Sequence, residues 1–523
     1  MADTYCLPSL TSQPKSDVHR GVEGMPIASI DPHPNTVPLN IMSTEILILV
    51  VTRLDGIDQR SVARIRLLST RFNKIATPIR YHTLHLTRDI IDHRSELAFP
   101  RGLANIHEYT KHVIAESNLN PERVRHLLSR IQNLLSVRWR YLNNDLRKGS
   151  FWVPADILNS RHIQNNPIQL HIENLPLIDF RGEQRNPYLK AIPAGTLITL
   201  QMATPTPPLT AQLDTLKGLL LKSIRLENFS YSDRGQGTRF AFSPGERLPA
   251  FKHLALRSYD WDHSSEEVYR HWDFSDIRGL ELVDVPIQPF LASITFSDFR
   301  YVESLRLDDF STHRAANLRK PATRGQYILV KQIRALQDLS IACDIASFPV
   351  DGILCHAQSL RRLRFRDYVG FGDEFRRCPT LNIEDLDILS QHLVQLRTLE
   401  LDMDEALCDA LRFLETLCNF PLIHTLILHT QTVIDVFKPV EPGSDPDRDR
   451  AKQIFALLMS RGRLGGGVSW RSITLNVGGW KKPMVRRLAS VWREQNSHGV
   501  YAERCFVLER NDGGEMVMRE EST

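Results

Sequence analysis

Cysteine is scarce in this chain of 523 residues, and what there is lies badly placed for covalent or metal chemistry. The seven thiols (Cys6, Cys343, Cys355, Cys378, Cys408, Cys418 and Cys505) are odd in number and scattered. None forms a C-x-x-C pair, and no Cys/His spacing suits a zinc site, which argues against a disulfide framework and a structural metal. Reduced, mostly buried thiols of a cytoplasmic or nuclear protein are expected. Long apolar runs are missing too. The most apolar stretch, EILILVV at Glu45–Val51, falls far short of the ~20 residues that cross a bilayer. No basic-then-apolar secretory layout opens the chain, so an intracellular protein with no membrane partner is expected, its sequon at Asn228 idle. Nor is there an excess of one charge. Sixty-five basic residues face 61 acidic ones, a net +4 that gives no reason to expect sequence-independent nucleic-acid binding.

Catalytic signatures are absent as well. GRLGGGVSW at Gly462–Trp470 is glycine-rich, but no G-K-[ST] follows, so it reads as a turn between helix and strand. WDH at Trp261–His263 and HWD at His271–Asp273 lack a second ligand pair at useful spacing. No catalytic residue, metal ligand or cofactor is assigned, and a non-enzymatic protein is expected.

What is present falls into two patterns. Residues 1–37, rich in Pro, Ser, Thr and Asp without periodicity, are expected to be a disordered tail. Ser43 then caps a helix with Glu45 in its first turn, and Ile46, Leu47, Val50 and Leu54 follow at helical spacing. Gly56 breaks the run and Asp58 caps the next helix. There Val62, Ile65, Leu68, Phe72 and Ile75 form one stripe, with Arg60, Arg71 and Lys74 opposite, Arg64 at the edge and Leu67 on the charged side. Thr77-Pro78 is expected to stop this helix, because proline disfavours helical geometry in the residue before it. Tyr81, Leu84 and Leu86 then alternate as a strand.

The second pattern is a phrase: an apolar residue, two variable ones, Leu or Ile, one variable, another apolar residue. Copies begin at Tyr81, Leu134, Pro167, Leu197, Leu221, Phe251, Ile277, Val302, Leu336, Leu360, Leu396, Ile423 and Trp470. From Pro167 to Ile423 the intervals run from 24 to 36 residues, clustering about the leucine-rich-repeat period with insertions. One copy could be any buried strand; a dozen at this spacing predict repeats that stack into a continuous core. Segments such as EALCDALRFLETLCNF supply the outer wall, with Leu407, Leu411, Leu414 and Cys418 as its buried stripe. Insertions starting at Tyr231, Ser311 and Lys438 read as surface loops. RCFVLERNDGGEMVMRE reads as a hairpin around Asn511 that closes the array.

With the apolar positions inward, the alternate positions line the inner wall. That row holds Arg138, His171, Gln201, Arg225, Arg257, Glu281, Arg306, Asp308, Arg362, Arg364, Arg366, Glu400 and Asp402, with Arg364 and Glu400 placed to pair across strands. Tyr259, Trp261 and Tyr368 follow these strands, either as aromatic anchors for a partner or as core.

Residues Ile41–Leu86 resemble an F-box: Glu45-Ile46-Leu47, Leu54, Ile65-Arg66-Leu67-Leu68-Ser69, Phe72, Pro78, Tyr81, Leu84 and Leu86 match in order. The family's opening Leu-Pro is Ile41-Met42 here, with Pro38-Leu39 upstream. With the repeats, the chain resembles fungal F-box proteins that serve as substrate receptors of SCF-type ubiquitin ligases. The resemblance implies an α/β protein: a tail (1–37), a helical F-box (38–80) whose second helix splits near Ser69, a leucine-rich-repeat solenoid (81–500) with a curved parallel sheet inside and helices and loops outside, and a C-terminal hairpin cap (501–523). It also implies partners. The F-box would meet a Skp-type adaptor, and through it a cullin–RING ligase, using Ile41, Met42, Glu45, Ile46, Leu47, Leu54, Ile65, Leu67, Leu68 and Phe72. A protein substrate would meet the inner wall at Arg225, Arg257, Arg306, Arg364, Arg366, Glu400, Tyr259 and Trp261. Two other readings stand beside it: a repeat scaffold whose degenerate F-box is an N-terminal cap, and a nucleic-acid helix built on Arg60, Arg64, Arg71 and Lys74.

Overall fold

The computed structural model describes residues 42–522 apart from 93–96, 143–152, 160–161, 163–166, 176–185, 205–209, 234–237, 309–315, 369–378, 434–443, 465–468, 479–503 and 512–513. The expected tail and Ile41 lie outside the described residues. The chain divides into two units, Met1–Arg80 and Tyr81–Thr523.

Three helices carry the first unit: α1 (Thr44–Asp55), α2 (Gln59–Ile65) and α3 (Thr70–Tyr81). Ser43 caps α1 by accepting the Ile46 amide, and Asp58 caps α2 by accepting the Arg60 amide at 2.9 Å. The stripe read across one helix from Asp58 is broken: α2 ends at Ile65, and Ser69 restarts the helix by accepting the Phe72 amide at 3.2 Å. The stop expected at Thr77-Pro78 does not occur, and α3 continues to Tyr81 with Pro78 inside it. An interior proline costs about 3 kcal/mol through a lost hydrogen bond and a ring clash. Here it stands in the last turn, and the buried Phe72, Ile75 and Ala76 before it hold α3 against the core of the unit. The small core is Leu47, Val51, Val62, Phe72, Ile75 and Ala76, with Met42, Leu54, Ile65 and Ile79 against it. The α1 stripe is therefore phased one residue from expectation. Leu47, Val51 and Leu54 turn inward while Ile46 and Val50 stay exposed, because apolar residues on every side of α1 left periodicity without a preferred face.

The second unit is built on one sheet of sixteen strands. They are β1 (Thr83–His85), β2 (His112–Glu116), β3 (Ser136–Arg140), β4 (Gln169–Leu175), β5 (Leu197–Thr204), β6 (Asn228–Asp233), β7 (His253–Arg257) and β8 (Gly279–Val283). After them come β9 (Ser304–Asp308), β10 (Asp338–Cys343), β11 (Arg362–Asp367), β12 (Thr398–Met403), β13 (Thr425–Thr430), β14 (Ser472–Val477), β15 (Arg504–Arg510) and β16 (Met516–Ser522). Spatial order equals chain order. Neighbours from β1 to β14 are parallel, as between β12 and β13; β14 to β16 are antiparallel. Parallel neighbours need a crossover, and helices such as Ser265–His271, Ile383–His392 and Ala410–Leu417 return the chain.

The phrase explains the register. Its central apolar residue falls opposite its counterpart in the next strand, so Leu305, Leu339, Leu363, Leu399, Leu426 and Ile473 form one continuous buried ladder. Leu399 sits mid-ladder with no exposure, so Leu399→Ala is expected to cost about 2–5 kcal/mol in urea unfolding.

Four expectations change. The copy placed at Leu221 belongs at Leu226 (LENFSY), because β6 pairs Phe229 with Leu200 and Leu254 while Ile224 is exposed in the preceding turn. The flanking spacings become 29 and 25 residues, more even than before. Strand β2 escaped the pattern, since its inward pair is Val113 and Ala115 rather than Leu or Ile. The insertions are not simple loops: Tyr231 lies in β6, Phe240 and Leu248 are buried, and Ala316–Gln332 and Pro446–Leu464 are helices. On Ala410–Leu417 the buried positions are Phe413, Leu414, Thr416 and Leu417, leaving Leu407 and Leu411 exposed.

The C-terminal hairpin completes the sheet. Buried Arg504 joins it to Asp445 and Glu520 with 2.7–2.8 Å contacts and lies 4.6 Å above the Phe506 ring. Its outer strand carries Arg519, Glu520 and Glu521, charges that discourage further strand addition. No described helix is long and apolar enough to cross a membrane.

Candidate binding surfaces

The first unit exposes apolar side chains that its core has no room for. On α1, Ile46, Leu49 and Val50 stand at i, i+3 and i+4, one stripe facing away from Leu47 and Val51. Ile57 follows α1, and Leu67 and Leu68 lie in the turn before α3, with 74%, 85% and 67% of their surfaces exposed. The structure sorts the ten candidate residues here. Ile46, Leu67, Leu68 and Glu45 are on the surface; Leu47 and Phe72 are core, with Met42, Leu54 and Ile65 packed against them; Ile41 is outside the described residues. Leu49, Val50 and Ile57 join the exposed set, a signal visible in the sequence only as more apolar residues than one stripe needs. Arg71 is not a free basic residue. Its guanidinium donates to the Met42 carbonyl at 2.6 Å, tying α3 to the start of α1.

In the second unit, the sheet face away from the Leu ladder carries the charges. Arg257 donates to Glu281 (2.6 Å) and Arg306 approaches the same oxygen (3.4 Å) while binding Asp308 (2.9 Å). Arg364 holds Asp308 from two strands away, crossing over Ser340, and binds Glu400 at 2.9 Å. Arg366 binds Asp402 at 2.8 Å, and His429 meets Glu400 at 2.9 Å. Four arginines thus meet four carboxylates in one network. Arg362 forks onto Asp338, and Arg138 and Arg140 share Glu173. Asp308 and Asp402, expected on an exposed wall, are only 1% exposed because the arginines lie over them.

Burial by itself pushes the Glu400 carboxyl up, but the His429 hydrogen bond and the Arg364 and Arg366 charges outweigh it and hold it at about 2. Burial also lowers His429, the Glu400 contact restoring only part, and in that contact Nε2–H donates, since a carboxylate oxygen accepts. A carboxyl whose folded value is depressed stabilises fully above its unfolded value of 4.5 and loses that contribution as pH falls toward 2. Glu400→Gln is therefore expected to flatten the acid-side loss of stability, on the order of 3 kcal/mol, in thermal unfolding across that window.

Between β5 and β12 the same face forms a groove of about 500 Å³. Small residues make its floor (Thr199, Ser230, Ala255, Gly279, Ser304 and Ser340), and Gln201, Glu281, Arg306, Arg364 and Glu400 stand along it. At Gly279 a Cβ would overlap the His253 ring as it stands, so any larger residue there would displace that exposed side chain. The sequence sign of this floor is the small residue at the variable positions of successive phrases.

The other candidate substrate contacts divide. Arg257, Arg306, Arg364, Arg366 and Glu400 are on this face. Arg225 is not: the five-residue slip of its phrase leaves it exposed in the turn before β6, and Ser230 takes the place assigned to it. Tyr259, Trp261 and Tyr368 are buried, so none is an anchor for a partner. Tyr259 accepts the Phe240 amide at 2.9 Å and meets His263 at 2.9 Å; Trp261 donates to Ser293 and packs on Trp272 and Phe290. The histidines of WDH and HWD belong to this core, His271 stacking on Phe242. Among the described residues no group of three or more His, Cys, Asp or Glu is arranged to hold a metal ion. No protein-family model matches the chain, and no curated protein matches it.

Proposed function

We propose that this chain is a substrate receptor of an SCF-type ubiquitin ligase, its helical unit an F-box that docks on a Skp-type adaptor and its repeats a leucine-rich solenoid that holds a protein substrate. The observation that carries this reading is the exposed apolar set of the first unit. A unit with six core residues that leaves Ile46, Leu49, Val50, Ile57, Leu67 and Leu68 in water is built for a partner. The ordered F-box matches on the same helices name the partner class, and the hydrogen-bonding groove and paired arginines of the sheet suit a polypeptide. The protein does no bond chemistry in this reading. It contributes proximity, raising the effective concentration of substrate lysines near a charged ubiquitin carrier in the cytoplasm or nucleus. Co-purification of the full chain with a Skp-type adaptor tests it. Absence of adaptor binding by a folded chain rejects the reading.

A further inference from the structure

The groove on the sheet holds two kinds of polar side chain, and only one kind is partnered. Every arginine and carboxylate that lines it is paired within the protein. Glu281 accepts from Arg257 and Arg306, Glu400 from Arg364 and His429, and Asp338 from Arg362. The hydroxyls, the amide and the imidazole are in the opposite condition. Among the described residues, the side chains of Gln201, Ser230, His253, Ser304 and Thr398 hydrogen-bond to nothing. Gln201 and His253 are exposed, and the other three are half-buried.

Such a surface selects against charge. A phosphate or carboxylate entering the groove meets only arginines already paired, and a lysine meets only carboxylates already paired. Either must break a half-buried pair to be accommodated, which strands the charge left behind. The free groups ask instead for partners that donate and accept at once, since a hydroxyl, an amide and a neutral imidazole do both. Peptide bonds and the side chains of Asn, Gln, Ser and Thr have that character. Side chains alone must meet them, because β5 to β12 each pair with a neighbour on both sides and admit no added strand. The free groups stand on β5, β6, β7, β9 and β12. That is a span of roughly 30 Å at the ordinary strand spacing, the reach of about nine extended residues. A carbohydrate carries hydroxyls too, but Phe229, the one Phe, Tyr or Trp among the described lining residues, is buried and offers no stacking face.

We propose that the groove binds an extended, uncharged polypeptide segment rich in Asn, Gln, Ser and Thr, held by Gln201, Ser230, His253, Ser304 and Thr398. The assignment rests on the reading of the repeats as a substrate holder, and it names the class of substrate. Binding in the groove needs no adaptor, so adaptor co-purification and peptide binding fail separately.

Panning a random-peptide display library on the immobilised full chain tests it, after depletion on Ser304→Leu, whose side chain would fill the floor. Enriched sequences should be rich in Asn, Gln, Ser and Thr and poor in Asp, Glu, Lys and Arg. In fluorescence anisotropy the selected peptide should bind with an affinity that changes less than about twofold between low and high salt. Q201A/S304A removes two free groups and fills nothing, and it should weaken that peptide roughly tenfold. Exchanging two amide residues of the peptide for Glu, or for Lys, should weaken it by a similar factor, roughly tenfold. Should Ser304→Leu unfold, Q201A/S304A serves for the depletion. No enrichment, enrichment of acidic or basic sequences, an affinity that falls steeply with salt, unchanged affinity in Q201A/S304A, or tighter binding of a neutral oligosaccharide would overturn the proposal.

Discussion

Arg364→Met should lower the free energy of urea unfolding by about 3–5 kcal/mol, more than an exposed arginine can supply. Among the described residues Arg364 is the one cation that reaches both Asp308, which is 1% exposed, and Glu400. Removing it leaves Asp308 to Arg306 alone and strips Glu400 of its nearest charge, and a buried carboxylate without its partner costs far more than the pair contributes. The comparison that isolates this effect is D308N/R364M/E400Q, which removes the stranded charges together with the guanidinium. Recovery of at least half the lost stability is expected. A loss below about 1 kcal/mol in R364M would mean that solvent screens the whole network as it does surface pairs.

Ile46→Asp combined with Leu67→Asp should weaken association with a Skp-type adaptor by at least about 100-fold, measured by titration calorimetry. Both side chains are exposed, and neither belongs to the six-residue core, so the far-ultraviolet circular dichroism of the full chain should not change. Each aspartate would carry a charge into an apolar contact, where desolvation without a partner is costly. Leu47→Asp is the contrast: it buries a carboxylate in the core of the helical unit and should unfold that unit outright. Unchanged affinity in the double variant, with the wild type binding, would move the docking surface elsewhere on the chain.

Much of the second unit was legible because its signal is repeated. A stacked repeat must present an apolar residue at the same strand position every time, so each copy of the phrase corroborates the others. The copy at Leu221 shows the limit. Leu221-x-x-Ile224-x-Leu226 satisfies the phrase while Leu226-x-x-Phe229-x-Tyr231 puts Phe at its Leu-or-Ile position, and only pairing with β5 and β7 assigns the strand to the second. β2 was missed for the opposite reason: its buried pair is Val113 and Ala115, which no leucine-based phrase describes. In the first unit, α1 is apolar nearly all round, so its inward face was decided by what α2 and α3 brought against it.

Local chemistry determined the caps at Ser43 and Asp58, the run of inward leucines and the hairpin around Asn511, because each needs only residues near in sequence. Tertiary structure decided which charges are free. Arg364 and Arg397 are equally basic in the sequence, yet one is neutralised by carboxylates from two other strands and the other faces solvent in a row of its own kind. The difference lies in which carboxylates the stacked strands bring within reach, and that is a property of register and distance that no single stretch of sequence contains.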